Sequence, residues 1–189
     1  MRYFNTSGPN RPHEHYTPMR PVLVAAGIKK VERERYFTIW APRQTGKSTY
    51  FRLLAEVLKT MDYIVVHVNV EGKIGSTEAV LCEYICEDIY KQTDIRLYST
   101  DVNHLLKEIS QFPKKSVFII DEIEQVNPEM FNLFLHTIRA YYHNRNQHNL
   151  KSVVLVGVAN ITGSPTPALP KERESIVHSI SQIILIFRI

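Results

Sequence analysis

The chain has only two cysteines in 189 residues, Cys82 and Cys86, one helical turn apart in an apolar stretch. So few thiols exclude a disulfide-framed scaffold, and at that spacing they read as core filling rather than half of a zinc site. No apolar run approaches the ~20 residues needed to span a bilayer, and residues 183–187 (IILIF) fall far short of it. The first residues carry none of the apolar character of a secretory leader, so the expectation is a reduced, cytoplasmic protein without membrane contact. No internal repeat is present, which excludes a solenoid. Charge is nearly balanced: 23 Lys and Arg against 19 Asp and Glu leave +4. That excess is compatible with phosphates or nucleic acid and demands neither.

What is present is the composition of one globular domain, 44% hydrophobic and 22% charged. Residues 36–40 (YFTIW), 63–70 (YIVVHVNV), 116–120 (SVFII) and 153–158 (VVLVGV) are short runs rich in β-branched and aromatic residues, read as buried strands. Between them apolar residues recur at helical spacing: Phe51, Leu54, Leu58 and Met61; Leu81, Ile85 and Ile89; Val102, Leu105, Leu106 and Ile109; Met130, Phe131, Phe134, Leu135 and Ile138. Thr100 or Asp101 can cap the third of these helices, and Asn127 with Pro128 opens the fourth. Strands that alternate with helices and read apolar throughout imply an α/β three-layer sandwich around a mostly parallel sheet. Residues 1–35 are expected to form an N-terminal arm and helix, and residues 36–163 the core.

Two motifs sit at strand ends. The first strand runs into Ala41-Pro42-Arg43-Gln44-Thr45-Gly46-Lys47-Ser48-Thr49, a Walker A pattern with alanine at the first glycine position. Backbone N–H groups must converge on phosphates, and Gly46 lets the chain approach closely. A cation must reach the β- and γ-phosphates, which is Lys47. A hydroxyl must hold Mg²⁺, which is Ser48. The helix that follows adds its positive end. The third strand ends in Asp121-Glu122, a Walker B pattern. In a parallel sheet the C-terminal strand ends share one edge, so both motifs face one crevice. Asp121 is the expected second Mg²⁺ partner, and Glu122 the base that deprotonates water. The second acid favours hydrolysis over phosphoryl transfer to another substrate. Past the fourth strand, Asn160 is the candidate sensor of the γ-phosphate, with Thr162 second and an ordinary turn asparagine the competing reading.

With these motifs placed, the chain resembles bacterial AAA-like ATP-binding proteins of the additional-strand P-loop class. It is similar to the group whose loop reads Ala-Pro-Arg-Gln-x-Gly-Lys-Ser/Thr, near the signalling (STAND) NTPases. The matching pieces are Phe4-Asn5-Thr6-Ser7-Gly8-Pro9 with His15-Tyr16, residues 36–49, and the strand ending in Asp121-Glu122. The resemblance covers residues 1–163. It implies that ATP is the ligand and Mg²⁺ the cofactor, that the arm closes over base and ribose, and that His15 and Tyr16 contact adenine. Three functions compete: ATP hydrolysis driving a conformational change, a nucleotide-operated switch with little turnover, and a nucleic-acid-associated ATPase module. A protein partner is compatible with each and none is named by the residues.

Members of that group continue into helical regions past the fourth strand. Here Pro165, Pro167 and Pro170 interrupt the pattern, and residues 164–174 resemble a translated repetitive DNA element. The expectation is that residues 164–189 are a non-native tail on a truncated fold. Deleting them should leave Mg·ATP affinity essentially unchanged, because Lys47, Ser48, Asp121 and Glu122 all precede the cut. Titration of the shortened chain with Mg·ATP checks this, and loss of binding in a folded protein would make the tail part of the site.

Overall fold

The computed structural model describes residues 2–4, 13–43, 45–73 and 75–158. Asn160, Thr162, Gln44 and the expected tail lie outside the described residues. The elements run α1 (Pro21–Glu32), β1 (Phe37–Ala41), α2 (Lys47–Thr60), β2 (Ile64–Asn69), α3 (Glu78–Thr93), α4 (Val102–Ser110), β3 (Ser116–Asp121), α5 (Pro128–His143) and β4 (Leu150–Val158), with short 3₁₀ turns at Ile123–Gln125 and Arg145–Gln147. The four strands form one sheet in the order β1-β4-β3-β2, every pair parallel. β4 is therefore the additional strand between β1 and β3, as the α/β reading anticipates.

Alternate side chains of each strand enter opposite cores, as the two-residue period requires. Phe37, Ile39, Val65, Val117, Ile119, Val154 and Val156 pack with α1 and α2 residues such as Val31, Phe51 and Leu54. Trp40, Val66, Val68, Phe118, Ile120 and Leu155 pack with α3, α4 and α5 through residues such as Ile85, Leu106 and Phe134. Both faces are covered, so the sheet is the middle of three layers. Cys82 and Cys86 are free and buried in the second core, where burial pushes the Cys82 thiol up to about 12. Among the described residues no helix is long and apolar enough to cross a membrane.

Local signals place the helices. Asp101 rather than Thr100 caps α4, its carboxylate accepting the His104 N–H at 2.8 Å. Asn127 caps α5, accepting from the Met130 N–H at 2.8 Å, with Pro128 in the first turn. β4 starts earlier than the apolar run suggests, because two polar residues are buried with partners. Lys151 Nζ donates to the Arg145 carbonyl at 3.0 Å and lies 3.3 Å from Glu34, while Ser152 Oγ donates to the Arg35 carbonyl at 2.6 Å.

The chain leaves β1 onto the α2 face and leaves β3 onto the α5 face, which opens a crevice at the C-terminal strand ends. One contact fixes that edge. Gly157 on β4 pairs with Trp40 on β1, and a Cβ at Gly157 would fall 2.0 Å from the Trp40 ring. Gly157→Ala should therefore destabilise the fold by about 1–3 kcal/mol through overpacking. Denaturant unfolding of both proteins measures it, and an unchanged midpoint would mean the indole can move aside.

Candidate functional site

Ala41 ends β1 and is buried, and it is not among the positive-φ positions, so alanine carries no left-handed strain there. The loop closes on itself: Thr45 Oγ1 donates to the Pro42 carbonyl at 2.9 Å. Gly46 then takes φ 82° and ψ 26°, the left-handed turn that glycine tolerates, and α2 begins at Lys47. The first turn of α2 holds no acid, so its N-terminal amides and positive end are left for an anion. Lys47 is buried with its ammonium folded back over the loop, donating to the Ala41 carbonyl at 3.1 Å and the Pro42 carbonyl at 3.4 Å. Ser48 and Arg43 are exposed, and Thr49 is buried under the turn.

Across the edge, Asp121 is buried at the end of β3. One carboxylate oxygen accepts the Glu122 N–H at 3.0 Å, and the other lies 3.3 Å from His67 Nε2 on the neighbouring β2. Glu122 follows with φ 57° and ψ 36°, a left-handed conformation unusual for a glutamate. Its Oε2 is buried and has no hydrogen-bond partner. The 3₁₀ turn then brings in Glu124, whose Oε1 accepts the Val158 N–H at 3.1 Å at the end of β4. Glu124 Oε2 is also buried without a partner. Burial, followed by the Glu122 carboxyl beside it, pushes the Glu124 acid up to about 8.

These two half-sites occupy one sheet edge. Ala41 pairs with Val158, and Asp121 pairs with Asn69. The donors suit a hard cation: a hydroxyl at Ser48 and a carboxylate at Asp121 are oxygen ligands, and Mg²⁺ is commonly held by one or two protein oxygens with phosphates and water completing the shell. Among the described residues no group of three or more His, Cys, Asp and Glu side chains could form an all-protein cage.

His15 and Tyr16 sit in different settings within the arm. His15 is buried, its ring edge-on to Tyr3 at 4.8 Å, and Tyr3 bridges the segment through its N–H to the Glu14 carbonyl at 3.1 Å. Tyr16 is exposed beside Phe4, the rings 5.0 Å apart. The segment meets the loop through Arg20, whose guanidinium donates to the Thr45 carbonyl at 2.9 Å. Arg20 itself has φ 47° and precedes α1. Arg20, His67 and Glu124 were not foreseen. His67 is legible in hindsight as the one polar break inside an apolar strand, and Glu124 as a third acid in Asp-Glu-Ile-Glu. Arg20 carries no local signal beyond preceding Pro21.

A family model described as "AAA domain" matches residues 30–163, which contain both strand-end motifs. The chain belongs to this AAA domain family. Among solved structures, the Orc1 protein of Aeropyrum pernix, solved in complex with DNA, is similar in fold with a TM-score of 0.63 and 16% identity. That match covers 92% of this chain and 46% of that one, so this AAA domain spans less than half the length of its structural relative. No curated protein matches the sequence.

Glu124 generates a pH signature. The unfolded chain releases this proton near 4.5, while the folded protein keeps it to about 8. Between those values the native state binds more protons, so this group's contribution to stability falls as pH rises. Glu124→Gln should flatten the decline in Tm across that window. Thermal unfolding at a series of pH values checks it, and parallel curves would mean Glu124 is ionised in the fold.

Proposed function

We propose that this AAA domain binds Mg·ATP between the 41–49 loop and the end of β3, hydrolyses it to ADP and phosphate, and couples the cycle to a conformational change. The observation that carries this reading is Glu122: a carboxylate with a buried, unpartnered oxygen, directly after a buried aspartate, on the same sheet edge as a lysine-bearing anion loop. Buried acceptors ordinarily have partners, and a carboxylate that no N–H of the described residues engages, at such an edge, suits a general base.

In this reading the amides of the loop and of the first turn of α2 hold the phosphates, and Lys47 turns from the Ala41 and Pro42 carbonyls onto the β- and γ-phosphates. Ser48 and Asp121 would hold Mg²⁺, which when bound neutralises charge developing between the β- and γ-phosphates. His67 fixes the second oxygen of Asp121 and so its orientation. Glu122 takes a proton from the attacking water as the water oxygen bonds to the γ-phosphorus and the bond to the ADP oxygen breaks. Asn160, or Thr162, would sense the γ-phosphate just past β4. His15 and Tyr16 would lie toward the base, and Arg20 ties that arm to the loop.

Lys47→Ala should abolish Mg·ATP binding while the circular dichroism spectrum stays unchanged. Glu122→Gln should retain binding and lose hydrolysis by ~10²–10⁴, since the amide keeps the shape but cannot accept a proton. Asp121→Asn should weaken the Mg²⁺ dependence. Titration and phosphate release measure all three. Unchanged affinity in Lys47→Ala would remove the loop from the site. Tight binding with no turnover in the wild type would leave the switch reading. The net charge of +4 is compatible with the nucleic-acid-associated reading, which salt-dependent stimulation of turnover by DNA or RNA would identify.

A further inference from the structure

The hydrolytic reading leaves Glu124 without a task, although it is bonded to the end of β4. Ile123 is fully buried and anchors the turn in the α3–α5 core, so Glu122 and Glu124 flank a fixed point. Glu124 Oε1 is committed to the Val158 N–H at 3.1 Å. Its Oε2 and the Oε2 of Glu122 are both buried, and no N–H or hydroxyl of the described residues reaches either. Two carboxyls sharing a dry site cannot both stay charged at little cost, and one proton between them resolves this. Glu124 is the better holder, because its other oxygen is already committed to the Val158 N–H, whereas no such bond ties Glu122 to β4.

We propose that Glu124 is the positioning residue for the Glu122 carboxylate: it anchors to β4 through Val158 and donates the proton on its other oxygen to Glu122 Oε2. The role rests on the hydrolytic reading above. The bridge leaves Glu122 Oε1 to face water, and it replaces free rotation of the side chain by one orientation. Val158 is also the residue that pairs with Ala41, the first residue of the 41–49 loop. Through one strand, the position of the base is therefore set against the position of the phosphates. Burial of Glu124 and the adjoining Glu122 carboxyl both favour the protonated donor this bridge needs.

The experiment compares ATP hydrolysis and Mg·ATP affinity in the full chain for wild type, Glu124→Ala, Glu124→Gln and Glu122→Gln. Glu124→Ala should lower kcat by about tenfold or more with little change in affinity. Glu124→Gln can accept from the Val158 N–H and donate to Glu122, so it should recover most of that loss. A purely structural role would not separate kcat from affinity in this way. If Glu124→Ala does not fold, Glu124→Gln alone decides between rescue and loss. Wild-type turnover in Glu124→Ala, or a Glu124→Gln as slow as Glu122→Gln, overturns the proposal while leaving the base in place. Hydrolysis that survives in Glu122→Gln, or is absent from the wild type, overturns the hydrolytic reading and this role with it. Infrared spectroscopy of the nucleotide-free protein reads the bridge without turnover. At neutral pH a protonated-carboxyl band should be present, vanish in Glu124→Gln and shift in Glu122→Ala. Absence of the band in the wild type overturns the proton-sharing bridge.

Discussion

The edge that carries the site depends on the contact between the Trp40 ring and the bare Cα of Gly157. β4 must lie against β1 for Ala41 to pair with Val158, and any side chain at position 157 would meet the indole first. With β4 seated, β3 is the next strand over, and Asp121 ends at the level of Asn69 and close to the end of β4. The spacing of the two half-sites is thus a property of strand order and register rather than of loops. Loops alone would hold such groups less tightly, because their backbone is supported by fewer contacts.

That arrangement is maintained at a cost. Glu122 sits in the left-handed region, a strain of about 1–3 kcal/mol for a residue with a Cβ. Trp40 Nε1 is buried without a partner, and such a group is expected to cost about 1–3 kcal/mol. Glu124 stays protonated well above the ordinary carboxylate range. The offset comes from two cores that cover both sheet faces, with Trp40, Phe118, Phe131 and Phe134 on one and Phe37, Tyr50 and Phe51 on the other. At the end of β3 a left-handed glutamate and the buried carboxyl oxygens of Glu122 and Glu124 come together.

The α/β layering was legible because the strands are continuous apolar runs and the helices keep a clear period, with caps at Asp101 and Asn127. The two strand-end motifs were legible because their chemistry is local: Gly46-Lys47-Ser48 and Asp121-Glu122 are each contiguous. Residues whose significance comes only from another element were not. His67 matters because β2 lies beside β3. Arg20 matters because the segment before α1 crosses to Thr45. The early start of β4 escaped notice because Lys151 and Ser152 look exposed until Glu34, Arg145 and Arg35 are placed around them.

The same distinction explains how the two halves of the edge can communicate. Lys47 and Glu122 are held by different strands, and β4 stands between those strands. In the proposed cycle a shift in the 41–49 loop would reach β4 through the Ala41–Val158 pair, and Val158 is held by Glu124. Glu124 is two residues from Glu122 on a turn pinned by buried Ile123. Each link in that chain is a hydrogen bond or a packed side chain, the contiguous kind of contact that coupling through the proposed cycle would use. Coupling through a strand rather than a lid needs no large motion. It asks only that β4 be rigid along its length, which a strand buried on both faces and paired on both sides satisfies.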